Sequence, residues 1–512
     1  MIERTPNFKL IKKMNNKVFL RRMLWLLCLP LLLTACKDSM DEHYEVPDWV
    51  ADNAWEVLSS GEHGNYSIFL QGLEIAGYKQ MLEGKAILTI IAPDDDAFQT
   101  YLNKRGFTSI SDMPVNEVSK LIGYHVLYYS YNKEKLVNFR PTGSTETEEE
   151  QNIKAGLYYK HRTRSSDAPT VETTPTGASV MVYHLERYLP IFSYRYFQTK
   201  GIDAKNNYEA FYPNSTWTGD DGFNVSNASV KEYGIIANNG YIHAVDRVVE
   251  PLETIYTELK NKEKYSTFLD LYDSFGVYVA DDELSKSYAK AYGVDTLYQY
   301  QHGGLPNIAC EWPTSSYLNF TALTALSYSI FAPSNTAINS FFDSFWKIGG
   351  YSSMQEVDAL ALNYFLYQFI YGGSMLFPEE LGDDELKNLA GSSLNINPAA
   401  LNEKTMCVNG ALYGMDEIKE PSTFASVIGP LFQYKSARSF LYALLGSSLF
   451  SSYVSDLSKY IVLVPTAEQF EASGIRTVYS TQGLEAEGDD GWAEISNTAK
   501  QNIVYLHSAS IS

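Results

Sequence analysis

The chain has 512 residues, 45% of them hydrophobic and 14% aromatic, with 40 basic against 61 acidic side chains and a net charge of −21. That length exceeds one ordinary core and points to roughly two to four domains. The negative field favours solubility and repels nucleic acid, which is therefore excluded as a partner.

The first residues read as an export signal. Lys12, Lys13, Lys17, Arg21 and Arg22 precede an apolar core from Met23 to Leu33, too short to span a bilayer. The core closes at Leu33-Thr-Ala-Cys36, which resembles the lipobox of bacterial lipoproteins. The resemblance implies diacylglyceryl attachment at Cys36 and a membrane held through lipid alone, since no later run is long and apolar enough to cross. Lys37-Asp-Ser-Met-Asp41-Glu42 follows and resembles the acidic surface-export signals of Bacteroidetes lipoproteins, which implies outer-membrane, outward-facing placement. Residues 1 to 35 carry seven Lys or Arg and one acid, so the mature chain keeps 33 basic and 60 acidic residues, a net −27. Only Cys310 and Cys407 remain there as thiols, either paired in an oxidising compartment or buried separately.

Trp49 to Leu82 has helical spacing through Ile68, Leu73, Ile75 and Leu82, which predicts an amphipathic pair. The run Ala86-Ile-Leu-Thr-Ile-Ile-Ala-Pro93-Asp then predicts a buried strand, a proline suited to a first helical turn, and a cap at Asp94, with Phe98 turning back onto the core. Val118 to Tyr129 predicts a second helix entering an aromatic strand at Tyr124-His125. An insert from about 132 to 233 opens with an acidic, Thr-rich loop (Thr142 to Glu150) and turns aromatic from Val182 to Phe197, which predicts paired strands. The unit closes on Asn239-Gly240, a hairpin signal attributed to positive φ, with Asp246 and Pro251 beyond.

The pattern returns twice. Ser327 to Pro333 with Ser334 and Ile338 repeats the strand and cap, Tyr364-Phe365 stands for Tyr124-His125, and Asn409-Gly410 leads to Asp416 and Pro421. Lys459 to Pro465 with Thr466 and Phe470 repeats it again, with Tyr505-Leu-His507 near the end. Ser67 to Pro93 and Ser439 to Pro465 have equal spacing, which favours duplication. The reading in residues is a signal at 1–35, a tether at 36–52, a first unit at 53–251, a second at 252–421 with an insert about 281–320, and an incomplete third at 422–512. The third lacks a closing hairpin, so its strand edges are expected to be exposed, through a truncated gene product or one completed by another chain.

Apolar strand, Pro, capped helix, Tyr-His, then Asn-Gly with a later Asp and Pro together resemble the fasciclin domain of adhesion proteins and bacterial surface lipoproteins. The resemblance implies an α+β fold, a wedge or sandwich of antiparallel strands flanked by helices. It also implies a non-catalytic adhesive role and links Tyr124 and His125 to partner binding, against the alternative of a buried hydrogen-bonding His. His184 and His243 are read as buried histidines of strands.

Asp94-Asp95-Asp96 is read as a helix cap, because the repeats keep capping ability and not carboxylates; a metal site is the rival. Gly219-Asp220-Asp221-Gly222-Phe-Asn224 lacks the distal Glu of a calcium loop and reads as a solvated turn. No metal or cofactor is expected. Tyr183, Tyr188, Tyr194, Tyr196 and Trp217 are the candidate platform for a surface protein or a glycan, or else core of an enlarged sheet. Three functions follow: a lipid-anchored adhesion protein, a glycan-binding accessory of an outer-membrane uptake system, and a hydrolase with paired carboxylates in the inserts. The absence of catalytic motifs disfavours the third.

Overall fold

The structure, a computed structural model, describes residues 52–138, 160–183, 186–310, 327–372, 374–394, 396–454 and 459–511. The export signal, Cys36, most of the tether, the Thr142 to Glu150 segment and His184 lie outside the described residues.

Each unit is built on one strand. In the first, β1 (Leu88–Pro93) is buried along its whole length between β2 (Val126–Tyr128), which is antiparallel, and a late strand running parallel. The insert adds β3 (Lys160–Ser166), β4 (Thr170–Thr173), β5 (Ser179–Val182), β6 (Glu186–Ser193) and β7 (Phe223–Val225). The closing hairpin is β8 (Val230–Ala237) and β9 (Gly240–Val245), and the sheet order is β7-β6-β3-β2-β1-β9-β8.

The second unit has its own insert strands, β10 (Gly276–Ala280) and β11 (Tyr298–His302), and then repeats the design. Its β12 (Tyr328–Pro333), β13 (Ile370–Tyr371), β14 (Leu401–Cys407) and β15 (Gly410–Met415) are ordered β13-β12-β15-β14. That is the order β2-β1-β9-β8 once more. The parallel registers also coincide: Leu88 faces Gly240 and Pro93 faces Val245, as Tyr328 faces Gly410 and Pro333 faces Met415. The fold is α+β with tandem copies of one unit, and the central pair in each is parallel within otherwise antiparallel pairing.

In the third unit β16 (Lys459–Val462) keeps one neighbour. A sheet the sequence reading lacks, β17 (Ile475–Val478), β18 (Gly483–Gly488) and β19 (Gly491–Glu494), intervenes before β20 (Ser508–Ile511) pairs antiparallel with β16. Among the described residues nothing pairs with the other edge of β16.

The caps follow the sequence, with one shift. Asp94 and Ser334 accept the N–H groups of Ala97 (2.9 Å) and Ala337 (3.4 Å), and Thr466 forms a capping box with Gln469. Pro93 and Pro333, however, end strands instead of starting helices, since the last ladder residue can do without an N–H. Asp95 accepts the N–H of Ile68 (2.8 Å) and Asn335 accepts that of Thr267 (2.9 Å), so each capped helix also holds the start of an earlier helix of its unit, Ser67–Ile75 or Ser266–Asp273. The carboxylates of Asp94 and Asp95 are thus spent on caps. The expected helical pair at the front is three short helices, Ala54–Ser59, Ser67–Ile75 and Lys79–Glu83, with Gly61 and Gly77 at positive φ in the two breaks.

Asn239 and Asn409 work differently from their sequence reading. Neither has positive φ. Asn239 Oδ1 accepts the Ala54 N–H (3.0 Å) while Nδ2 donates to the carbonyls of Leu82 (2.7 Å) and Gly84 (2.9 Å). Asn409 does the same for Ile255 (2.9 Å), Ile308 (2.9 Å) and Cys310 (3.0 Å). Each Asn pins the first helix of its unit to the chain entering the central strand. The adjoining glycines are needed for closeness: a Cβ on Gly240 would overlap the Leu88 carbonyl oxygen, and one on Gly410 that of Tyr328.

Candidate interaction surfaces

The Tyr124-His125 pair is buried inside the first unit, so it is not a partner-binding surface. Tyr124 donates its hydroxyl to the Tyr188 carbonyl at 2.9 Å. His125 Nδ1 lies 2.9 Å from the Leu121 carbonyl, and its Nε2 lies 3.0 Å from the Val249 N–H, which assigns the proton to Nδ1. Burial lowers its pKa to about 4, so the ring is neutral at pH 7. The pair is a clasp: it joins the end of helix Val115–Tyr124 to the segment after β9. His243, also lowered to about 4 by burial, bonds the Tyr131 carbonyl (3.0 Å) and accepts the Gly234 N–H (3.1 Å).

The repeats locate the clasp elsewhere than the sequence alignment. The Ile91 N–H donates to the His125 carbonyl, the Phe331 N–H to that of Phe369, and the Leu463 N–H to that of His507. The counterparts of Tyr124-His125 are therefore Gln368-Phe369 and Leu506-His507, and Tyr364-Phe365 lies one helical turn early. His507 Nδ1 repeats the back-bond of His125, 2.7 Å from the Ile503 carbonyl.

Of the two readings of the insert aromatics, platform or core, the structure favours core for most of them. Tyr188, Tyr196 and Trp217 are buried, and Tyr194 is half-buried against two cores. The paired strands end at Ser193, whose hydroxyl caps helix Tyr194–Lys200, and helix Ala204–Phe211 follows. Tyr196, Phe197 and Phe211 pack on Phe377 of the second unit, with ring centroids 5.6, 4.9 and 5.7 Å away. Lys200 and Glu380 form an ion pair at 2.7 Å beside them, and Asn207 Nδ2 donates to Glu379 at 2.6 Å. These aromatics are a joint between units.

Tyr183 alone of that group meets a surface cluster. It stacks on Tyr288 with centroids 5.1 Å apart, and Tyr292, 42% exposed, lies 5.9 Å away. Tyr288 and Tyr292 stand four apart, a spacing that places side chains on one helical face and was legible in the sequence. The two inserts meet here in one sheet ordered β10-β11-β5-β4.

Carboxylates converge at Asp167 of the first insert and Glu253 at the start of the second unit. Arg187 bonds both, and Lys120 lies 2.6 Å from Asp167 and 4.0 Å from Glu253. Burial raises the Asp167 carboxyl, but Arg187 and Lys120 outweigh it and hold it below its usual value. This cluster is an ion-pair network. A second group, absent from the sequence reading, gathers on Asp273, which accepts from Tyr256 (3.1 Å) and Tyr300 (2.9 Å) and lies 3.1 Å from His302 Nε2. Burial and the Asp273 charge push both Tyr hydroxyls upward, so they stay protonated donors. Asp220 takes the indole N–H of Trp217 at 2.7 Å and closes the suspected calcium loop as a turn. Cys310 Sγ lies 3.1 Å from Asn307 Nδ2, and burial pushes the Cys407 thiol well up.

A hollow of about 560 Å³ opens beside β16, lined by Val464, Pro465, Phe470, Ile503 and His507 among others. Of their counterparts in the first unit, Ala92, Phe98 and Leu121 share a core with Ala244 and Val248, and His125 accepts the Val249 N–H.

Residues 64–190 match the family model of the fasciclin domain. The match spans the fasciclin-like unit from its second helix into β6 and covers about a quarter of the chain. Among solved structures, the FAS1 domain pair of the insect cell adhesion molecule fasciclin I is similar over 70% of this chain and 98% of its own, at 12% identity and a TM-score of 0.24. No curated protein matches. No described helix is long and apolar enough to cross a membrane.

Proposed function

We propose that this is a non-catalytic binding protein of adhesive type, built of fasciclin-like units and displayed outside a bacterial cell by lipid on Cys36. The observation that carries the reading is the fasciclin match at residues 64–190, in a unit whose strand order and register recur in the second copy. The Leu33-Thr-Ala-Cys36 sequence supports the anchor, and Asp41 and Glu42 support outward placement. The partner is a surface protein. Labelling of intact cells with an impermeant amine reagent tests the placement: modification before lysis is expected, and modification only after lysis contradicts it.

A second reading, glycan binding in support of uptake, is favoured by the Tyr183, Tyr288 and Tyr292 cluster, which offers flat rings at the surface of the joined inserts. Polysaccharide in an affinity gel should retard the protein, and Tyr292→Ala should abolish the retardation. Equal mobility across a broad polysaccharide panel contradicts this reading.

A further inference from the structure

The sheet that joins the two inserts gathers tyrosine rings and carboxylates on one face. Pairing of β10 with β11 sets Tyr278 opposite Tyr300 and Gly276 opposite His302, so all four share that face. Gly276 makes room there: a Cβ would stand 2.0 Å from the hydroxyl of Tyr300, which lies over it and bonds Asp273 at the end of helix Ser266–Asp273. Tyr256 of helix Ile255–Lys260 stands beside Tyr300, with centroids 5.6 Å apart and planes 62° apart. Tyr278 stands on the same ring at 5.0 Å and 45°, and its hydroxyl donates to Glu172 of β4 at 2.9 Å.

The two carboxylates meet these rings without a Lys or Arg. Asp273 Oδ1 accepts from Tyr300 and lies 3.1 Å from His302 Nε2, while Oδ2 accepts from Tyr256. His302 Nδ1 is buried without a partner, so the ring proton belongs on Nε2. Glu172 accepts from Tyr278 through Oε2 and from Thr170 through Oε1 (3.1 Å). Neither carboxylate forms an ion pair with a Lys or Arg among the described residues, whereas Asp167, Glu380 and Glu403 each do. Both charges act on the same rings: burial first, and then Asp273 and Glu172, push the Tyr256 and Tyr278 hydroxyls upward. An ionised carboxylate offers about four acceptor positions, so Asp273 and Glu172 both keep capacity for further donors. The Asp273 side chain is 31% exposed, which leaves it within reach of a ligand.

We propose that this face seats a guanidinium, the side chain of an arginine presented by the partner protein. Tyrosine faces attract a cation, and a planar guanidinium also stacks on them. Its fork of N–H donors matches the remaining acceptor positions of Asp273 and Glu172, to which a quaternary ammonium has no N–H to give. The inference rests on the reading of this chain as a binder of a protein partner, and it gives that partner a chemical feature. The probe below reads the seat alone, so its failure leaves partner binding and surface placement standing, and failure of the cell labelling leaves the seat standing.

The test uses the full chain with butylguanidinium as the probe, followed by saturation-transfer NMR. Butylurea is its neutral isostere, and choline is a cation without N–H donors. Saturable transfer to butylguanidinium is expected, with an affinity about tenfold or more above that of either comparison. Glu172→Gln keeps an acceptor for Tyr278 and should fold normally, yet weaken butylguanidinium about fivefold through loss of a charged acceptor. Asp273→Asn should weaken it at least as much. Asp490→Asn, in the exposed turn between β18 and β19, should leave the affinity unchanged, which separates the seat from general attraction to an acidic chain. The inference is overturned by no saturable transfer, by butylurea or choline binding as tightly, by an affinity that Glu172→Gln leaves unchanged, or by an equal loss in Asp490→Asn.

Discussion

The first and third units start from one pattern and end in opposite environments. Both have an apolar strand, a proline, a capped helix and a histidine back-bonded to the turn before it. Yet β1 is buried throughout, whereas Ile461 and Leu463 of the third copy face outward. In the first unit β8, β9 and the segment after them supply the parallel partner, the Asn239 pin and the N–H on His125, and Leu136, Leu189 and Phe223 of the insert share the core of Ile91, the counterpart of Leu463. Burial of the central strand is thus set by the elements that pack on it from elsewhere in the chain and cannot be read from the strand itself.

The largest expected effect comes from spoiling that closure. Gly240→Val should cost the first unit roughly 4 kcal/mol or more, because the clash is with backbone that cannot move without opening the ladder. Denaturant unfolding should show the loss, and a cost under about 1 kcal/mol would break the comparison.

Acid acts on the same closure. The folded pKa values of His125 and His243 are lowered to about 4 from 6.5, so the unfolded chain takes up protons first as pH falls. Their contribution is fully present above pH 6.5 and is lost as pH drops through 4, roughly 3 kcal/mol for each ring. The second unit has Phe369 in the clasp and lacks that dependence there. Unfolding measured from pH 7 to pH 4 should lose stability first in the first unit.

Asn409→Ala should cost roughly 2–4 kcal/mol, because the Ile255 N–H and the Ile308 and Cys310 carbonyls lose their partner in a buried place. The smallest contrast is between the clasps. His125→Phe strands the Val249 N–H and should cost about 2 kcal/mol, while His507→Phe, with no such donor to strand, should cost less than about 1 kcal/mol. Equal costs would show the third clasp to be closed as well.

Features decided within a few residues were legible from the sequence. The three caps at Asp94, Ser334 and Thr466 stand where the Pro and polar residues place them. The clasp in the second unit was misplaced by four residues because a helix repeats its faces each turn, and only the Phe331 to Phe369 hydrogen bond settles the register. Asn-Gly marked the hairpin for a reason that holds only at Gly410, whose φ is +139°: neither Asn nor Gly240 has positive φ, and the pinning of distant carbonyls by Asn239 has no local signal. The aromatic insert left two readings open, a platform or core, and the sequence could not choose between them. Tyr196 and Trp217 look like a platform in isolation, and the Phe377 that buries their neighbourhood lies about 160 to 180 residues away in sequence.

Native-state hydrogen exchange of the full chain tests the central claim most directly, by comparing the amides of Leu88, Ile90, Tyr328 and Ile330 with those of Tyr460, Val462 and Val464. Slow exchange in the first group and fast exchange in the second is the expected result. Equal protection in all three strands would contradict it.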